Sequence, residues 1–372
     1  MKSKTRNLYI DIMKGLLIIL VVIGHLPFFE YDSRTLTLIY SFHMHAFLII
    51  GGILSHVDEN TKLSTIIVKK IKNILIPYFI FYAITLIFIP TATMDQKIKA
   101  IFVVFRGIGD PVNALNLPLW FLTFYFVAML TFAFIEWLSY RIKTLVFDIN
   151  QYGENEKYWF VALITLIFVS IIMFFSFRYA RYYKMPRLPF NIEIAGFCLG
   201  FVFFGKILGK YVPIAFNEFK NHTSYKIIGS ILIFIILAIF IYAWYFTSMY
   251  NGRIDLNARD YKNAFLMYID AILAFFIFSV FSYIISMLPI IKNDLAIIGE
   301  NSIYILAYHV PSVFVLNCFV LPYLPPIIGL TLQKNSIISI TILTSFAILF
   351  SLILALIHKS ISGLLKKARE NN

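Results

Sequence analysis

The chain has 372 residues and a formal net charge of +13; 60% of its residues are hydrophobic and only 14% are charged. Soluble domains carry about 25% charged residues, so this composition excludes a water-soluble globular protein and favours an integral membrane protein. In such a protein, basic loops anchor helices against anionic lipid, so the positive charge does not indicate a nucleic-acid partner.

A transmembrane helix needs about 20 consecutive, predominantly apolar residues. About ten such runs follow one another, so the sequence predicts an all-α, polytopic helical bundle that forms a single membrane domain over residues 1–372. The amphipathic segment 94–106 is predicted to lie in the membrane interface or to re-enter the membrane. The ten runs lie near residues 8–28, 36–55, 74–90, 118–138, 158–177, 190–209, 225–247, 263–288, 301–322 and 335–358.

The distribution of Lys and Arg predicts the orientation of the chain. If the N-terminus is cytoplasmic, most basic residues outside the runs fall on cytoplasmic segments, which places both termini in the cytoplasm. The external loop 177–189 breaks this rule because it contains Arg178, Arg181, Lys184 and Arg187 among three tyrosines. Either the number of preceding spans differs by one, or this loop binds an anionic or sugar-like ligand.

The first run contains three ionisable residues, Asp11, Lys14 and His25. Each such residue costs about 2.5–3.5 kcal/mol at the bilayer centre and is tolerated when it faces a cavity or a partner. On a helix the three share one stripe, with Lys14 and His25 roughly 16 Å apart along the axis. Asp11 and Lys14 are positioned to form an ion pair, for which an interfacial pair without further function is the alternative interpretation. For His25 the alternative is a histidine satisfied within the bundle or an interfacial helix cap. No cleavage site follows the run, so we interpret it as a mature transmembrane helix.

The second run begins with His43 and His45, which point about 200° apart on a helix and therefore do not predict a paired metal site. A loop histidine without a role is the alternative for His45. Gly51 and Gly52 would let another helix or a ligand approach closely.

Basic and polar residues also border the third and ninth runs. Lys69 and Lys72 precede the third run, where ordinary positive-inside anchors are the simpler interpretation. In the ninth run, Asn301 precedes the predicted helix and His309 lies two turns into it, where a structural histidine is the alternative to a functional one.

Several of these motifs resemble the acyltransferase-3 family of membrane O-acyltransferases, particularly its fucose-4-O-acetylase-like branch. The opening Arg-x-x-x-x-Asp-x-x-Lys-Gly over residues 6–15, followed by Ile-Gly-His at 23–25, is similar to the family's N-terminal signature. SFHM at 41–44, KKIKNILIPY at 69–78, LPLWFL at 117–122 and NSIYILAYH at 301–309 resemble its later segments. Lys14 stands where many members carry Arg, and His45 replaces the usual Pro.

The resemblance implies transfer of an acyl group, usually acetyl, from cytoplasmic acyl-CoA to a hydroxyl of a cell-surface or lipid-linked glycan. Acetyl-CoA would be a donor co-substrate and no permanently bound cofactor is expected; the expected partners are membrane lipid, acyl-CoA and the glycan. The expected location is a bacterial plasma membrane, and Cys198 and Cys318 give no reason to expect a metal site. The predicted site residues are catalytic His25, Asp11 and His43; acyl-CoA-binding Lys14, Lys69 and Lys72; and substrate-binding Arg178, Arg181, Arg187, Trp120, Asn301 and His309.

The predicted roles follow from the chemistry of these side chains. A sugar hydroxyl needs a general base near neutral pH, which favours His25, and the thioester oxyanion needs a donor, for which His43 is the candidate. The lysines would neutralise CoA phosphates. The stretch Asn251–Leu256 is a further candidate for contacts with the acceptor.

Two other functions fit parts of this pattern. A transporter or flippase of lipid-linked sugars would share the spans and basic loops, although no inverted repeat is visible. A non-enzymatic membrane scaffold would not need three ionisable residues on one stripe.

Overall fold

The computed structural model describes residues 7–26, 33–87, 93–108, 114–146, 153–181, 185–221, 226–320, 323 and 336–370. All ten predicted apolar runs are helical over these residues, and the described part of the chain contains no β-strand. The prediction of an all-α, polytopic membrane bundle is therefore confirmed. The α-helices are α1 (Leu8–Gly24), α2 (Arg34–Tyr40), α3 (His43–Ile53), α4 (Leu63–Lys70), α5 (Ile76–Ile87), α6 (Met94–Arg106), α7 (Trp120–Val146), α8 (Glu154–Arg181), α9 (Ile192–Phe197), α10 (Leu199–Asn221), α11 (Lys226–Asn251), α12 (Ala264–Ser286), α13 (Lys292–Glu300), α14 (Ser302–Val315) and α15 (Ile337–Glu370).

The number of long apolar helices is smaller than the predicted ten. Within the described residues, seven helices are long and apolar enough to cross a membrane, or eight if a bent pair is counted as one span. The bent pair, Pro189–Phe197 and Leu199–Tyr211, turns by 59°. Helix α1 has only 17 residues. The helical segment over residues 63–87 carries three lysines and is divided by a π-helical stretch, Ile71–Leu75. Neither α1 nor the helical segment over residues 63–87 is therefore an uninterrupted apolar helix of 20 residues.

The chain divides into two compact units. Unit 1 comprises Met1–His43, Ile239–Ile254 and Lys262–Asn372, and unit 2 comprises Met44–Ala238 and Asp255–Tyr261. The prediction of one membrane domain over residues 1–372 stays a prediction.

In unit 1, α1 packs against α12, α13, α14 and α15, and most of its residues are buried. Its approach to α13 is very close, because a methyl group on Gly15 would overlap the carbonyl oxygen of Leu295 and one on Gly299 would overlap that of Asp11. The first apolar run is thus enclosed by protein, as its ionisable residues predict.

In unit 2, α3 and α10 make a similar glycine contact. A methyl group on Gly52 would overlap the carbonyl oxygen of Val202, and one on Gly205 would overlap that of Ile49. The close approach predicted for the glycine pair in the second run is therefore an approach between helices.

Helix α8 is longer than the predicted run and ends at Arg181. Arg178 and Arg181 accordingly lie on its last turns rather than in a loop, and both are exposed. The helix continues because the first residue that cannot join a helix interior, Pro186, lies further along the chain. Lys184 lies outside the described residues.

Candidate active site

His25 lies at the end of the first helix, where a backbone hydrogen bond determines which of its ring nitrogens carries the hydrogen. It is the C-cap of α1, and its Nδ1 lies 2.8 Å from the carbonyl oxygen of Val21. A carbonyl oxygen only accepts hydrogen bonds, so we assign the hydrogen to Nδ1 and the lone pair to Nε2. His25 is half-buried. A neutral imidazole in this tautomer has its basic nitrogen at Nε2.

His309 lies beside His25 in unit 1. The two imidazole rings are 5.0 Å apart between centroids and meet edge to face at 73°. His309 lies on α14 and is 1% exposed, and its Nδ1 lies 2.9 Å from the carbonyl oxygens of both Ile305 and Leu306. Its Nε2 therefore also carries a lone pair. The structure thus joins two histidines that lie far apart in the sequence.

His43 completes a group of three histidines with the same backbone hydrogen bond. Its Nδ1 lies 2.6 Å from the carbonyl oxygen of Ile39, and only 2% of the residue is exposed. Its ring contacts Tyr40, with 5.1 Å between ring centroids, and its ionisable neighbours are His25 and Arg253. While Nδ1–H is bonded to Ile39, a neutral His43 has no N–H left to donate to an oxyanion.

Arg253 places a cation beside Tyr40 and His43. Its guanidinium carbon lies 4.2 Å from the centroid of the Tyr40 ring, within the range of a cation–π contact. The Tyr40 hydroxyl in turn donates to the carbonyl oxygen of Gly24 at 3.4 Å. Sequence reasoning included Arg253 only within a loop of candidate acceptor contacts, because loops have no periodicity that reveals which side chain faces the core.

The predicted ion pair of the first helix is confirmed. Lys14 Nζ lies 2.8 Å from Asp11 Oδ1, with Asp11 buried and Lys14 half-buried. His25 lies eleven residues after Lys14 along the helix and its cap, about 16 Å at 1.5 Å per residue. Asp11 is therefore a partner of Lys14, and its assignment among the catalytic residues stays a prediction.

Asn301 has structural partners in unit 1. Its Oδ1 accepts a hydrogen bond from Lys359 Nζ at 2.6 Å, and its Nδ2 donates to the carbonyl oxygen of Ile297 at 2.8 Å. Asn301 thus ties the corner between α13 and α14 to α15. Its predicted role in substrate binding stays a prediction.

The basic motif before the third run lies in unit 2, and the structure distinguishes its three lysines. Lys69 and Lys72 are exposed, whereas Lys70 is half-buried. Burial lowers the pKa of Lys70, and the neighbouring charge of Lys69 acts in the same direction, while Glu136 opposes both. Lys70 is thus the lysine turned toward the protein, a distinction that depends on a tertiary partner.

Glu136 is the centre of a polar network in unit 2 that sequence reasoning missed. Its carboxylate accepts from Lys206 Nζ at 2.8 Å and from Ser55 Oγ at 3.0 Å, and Glu136 is 2% exposed. Lys206 also donates to the carbonyl oxygen of Ser55 at 3.2 Å. Glu136 is the only acidic residue in the apolar run 118–138, and this isolated acid is the sequence signal that indicates a buried polar partner.

The remaining predicted substrate residues lie in unit 2, and several contact the protein itself. Arg187 Nη1 donates to Asn257 Oδ1 at 3.4 Å, and Arg181 lies 5.8 Å from the centroid of the Phe177 ring. Trp120 is buried beside Phe124, with 5.5 Å between ring centroids. Burial and the charge of Arg259 lower the pKa of Arg187.

Arg259 and Glu193 hold the neighbouring segment of unit 2 together. Arg259 forms an ion pair with Glu193 and donates to the carbonyl oxygens of Met185 and Pro186 at 3.0 and 3.1 Å. The backbone of Arg259 has a φ of 62°, in the left-handed region. These contacts fix segment 255–261 against segment 185–193.

No group of three or more His, Cys, Asp or Glu side chains within the described residues is arranged to hold a metal ion.

Comparison with known proteins gives one family. A family model described as an acyltransferase domain, that of the acyltransferase-3 family, matches residues 7–356, nearly the whole chain. Searches of curated proteins and of solved structures gave no match.

Proposed function

The chain belongs to the acyltransferase-3 family and is a multi-pass membrane acyltransferase, and we propose that it moves an acetyl group from acetyl-CoA to a glycan hydroxyl. The acceptor would be a cell-surface or lipid-linked glycan at the plasma membrane of a bacterium. One observation carries this proposal: His25 has its Nδ1 bonded to Val21, which leaves Nε2 as a base beside His309.

The chemistry begins at His25. Its Nε2 takes the proton of the acceptor hydroxyl as the hydroxyl oxygen attacks the thioester carbon. A C–O bond forms, and the carbonyl oxygen becomes an oxyanion. When the tetrahedral intermediate collapses, the C–S bond breaks and the departing thiolate takes the proton from His25. The products are the glycan ester and free CoA, so no proton is gained or lost overall.

Arg253 is the better candidate for stabilising the oxyanion. A neutral His43 cannot donate from Nε2 while its Nδ1–H bonds to Ile39, whereas a guanidinium remains charged and keeps several N–H donors. Arg253 lies on Tyr40 and is a charged neighbour of His43. In this proposal, His43 Nε2 instead accepts a hydrogen bond from the acceptor sugar.

Lys14 is proposed to bind the anionic end of the donor. Its distance of about 16 Å from His25 along the helix suits an extended donor with phosphates at one end and a thioester at the other. Lys69 and Lys72 are proposed to add point charges for the phosphates, which their exposure leaves accessible. The predicted acceptor contacts at Trp120 and at the three arginines remain part of this proposal.

The decisive experiment replaces His25 with Ala in purified protein in proteoliposomes. The release of CoA thiol from acetyl-CoA is measured with a glycan fraction from the native cell, together with the O-acetyl content of that glycan. We expect a loss of about 10²–10⁴-fold, the usual contribution of a general base. His56→Ala, which changes an exposed histidine of unit 2, is the matched control and should retain activity.

Two outcomes would contradict the proposal. Wild-type rates of acetylation in the His25→Ala protein would remove His25 from the chemistry. In cells that lack the protein, normal O-acetylation with impaired export of the glycan would instead support the transporter alternative.

A further inference from the structure

His309 carries a buried lone pair that the fold does not use. The residue is 1% exposed, and its Nδ1–H is taken by two carbonyl oxygens of its own helix. Its Nε2 has no hydrogen-bond partner among the described residues. An acceptor buried without a donor costs free energy, so such an atom in a native site calls for an explanation.

The ring of His25 lies against the ring of His309, so a change of charge on His25 acts directly on His309. In the resting state both histidines carry hydrogen on Nδ1, so each presents an unprotonated Nε2. When His25 takes the hydroxyl proton, it becomes an imidazolium, and its positive ring lies 5.0 Å from the ring of His309. A neutral imidazole stabilises such a cation through its lone pair or through the face of its ring, whereas two imidazolium ions at this distance repel each other.

Further ionisable groups of unit 1 lie around this pair. His43, the first residue of α3, interacts electrostatically with both His25 and Arg253. On α15, Lys359 and His358 contact Asn301 and Tyr304, which precede His309 by eight and five residues. The ion pair Asp11–Lys14 lies toward the N-terminal end of α1, about three turns from His25.

We propose that His309 is a positioning residue that stabilises the protonated form of His25. Its neutral ring stabilises the positive charge on His25 between the attack of the hydroxyl and the departure of the thiolate, and the proton stays on His25 until the thiolate takes it. His309 thereby makes His25 a stronger base without touching the acyl group. This inference rests on the proposed function for its place in the reaction, but the coupling between the two rings can be measured without acyl-CoA.

The test measures how readily diethyl pyrocarbonate modifies His25 at different pH values. The reagent attacks only unprotonated imidazole, so the pH of half-maximal rate at His25, followed by peptide mass spectrometry, reports its protonation. The full-length protein in lipid nanodiscs is compared with His309→Phe, which keeps a ring but has no nitrogen, and with His309→Gln, which offers an amide oxygen. We expect the half-maximal pH of His25 to fall by about one unit in His309→Phe, a tenfold change in proton affinity, and by less in His309→Gln.

A role for His309 in packing alone would lower the amount of folded protein and leave the half-maximal pH of His25 unchanged, and that result would overturn the proposal. His309→Ala provides the same comparison if the Phe variant does not fold. In the acetyl-CoA assay, His309→Phe should also move the acid limb of the kcat/KM profile to lower pH.

The two proposals can fail independently. If His25→Ala remains active while the pH shift is present, the proposed function fails and the coupling stands. If His25→Ala is inactive and the shift is absent, only the role of His309 fails.

Discussion

Arg253 is the residue that is proposed to stabilise the oxyanion. Its contact with Tyr40 requires a flat guanidinium, and a lysine at this position would keep the charge but lose both the stacking and the forked donors. We expect Arg253→Gln to lower kcat by about 10²–10³-fold, as loss of an oxyanion donor does, and Arg253→Lys to recover only part of that loss. The measurement is steady-state release of CoA from acetyl-CoA.

Arg34→Gln is the control for this substitution, because Arg34 is an exposed arginine of the same unit. Its kinetics should match those of the wild-type protein. If Arg253→Gln raised KM for the glycan and left kcat unchanged, Arg253 would bind the acceptor and the oxyanion would need another donor.

Single residues also mark the limit of what the sequence predicts. Helical geometry alone paired Asp11 with Lys14, and the structure confirms the pair at 2.8 Å. The sequence offered His25 and His309 as separate candidates, but no local pattern joins residues so far apart in the chain. Lys70 was likewise not distinguished from Lys69 because its burial depends on a tertiary neighbour, Glu136.

At the scale of the helices, the glycine contact between α3 and α10 is a sensitive point of unit 2. A methyl group on Gly52 would overlap the backbone of α10 at Val202, and a backbone atom cannot move aside as a flexible side chain can. We expect Gly52→Ala to lower the free energy of unfolding by about 1–3 kcal/mol, the usual cost of overpacking. Thermal unfolding in detergent, followed by intrinsic fluorescence, measures the change.

Gly363→Ala is the matched control on α15. Nothing lies within 4 Å of a methyl group at this position, so the same substitution should be neutral or slightly stabilising through helix propensity. If both variants unfolded at the wild-type temperature, α3 and α10 would be less tightly packed than their glycines indicate.

The buried ion pair between α7 and α10 makes a second prediction at this scale. Removing either charge alone leaves the other buried and unpaired, which typically costs about 3–5 kcal/mol. Glu136→Leu and Lys206→Met should therefore each destabilise the protein strongly, while the double variant should recover much of the loss. Additive effects in this double-mutant cycle would show that Lys206 and Glu136 do not depend on each other.

The helices themselves were the most predictable part of the fold, and their boundaries the least. Each apolar run forms a helix over the described residues, because in lipid a helix pairs the backbone N–H and C=O groups within the segment itself. The end of α8 was misplaced because Arg178 and Arg181 look like loop residues in sequence, although nothing in that stretch prevents a helix from continuing. The bend between α9 and α10 was not predicted, since the apolar run 190–209 reads as continuous.

At the scale of the whole molecule, the number of spans decides where the termini lie. An even number places both ends on one side of the membrane, as the distribution of Lys and Arg predicts, whereas seven spans would place them on opposite sides. Helix α1 is the critical case. Its 17 residues measure about 26 Å, at the lower limit for crossing a hydrocarbon core of about 30 Å. Because α1 is surrounded by other helices of unit 1, its ends need not match the lipid thickness themselves.

We therefore expect ten crossings and a cytoplasmic C-terminus. A green fluorescent protein fused after residue 372 should fluoresce, and alkaline phosphatase at the same position should be inactive, because the first matures in the cytoplasm and the second outside it. A phosphatase fusion after Asp32, between α1 and α2, should be active, since α1 would have carried that point across the membrane. An inactive phosphatase at Asp32, in a protein that is stably expressed, would mean that α1 does not cross. His25 would then not lie at the far end of a crossing helix from Lys14, and the proposed path from phosphate to thioester would have to be abandoned.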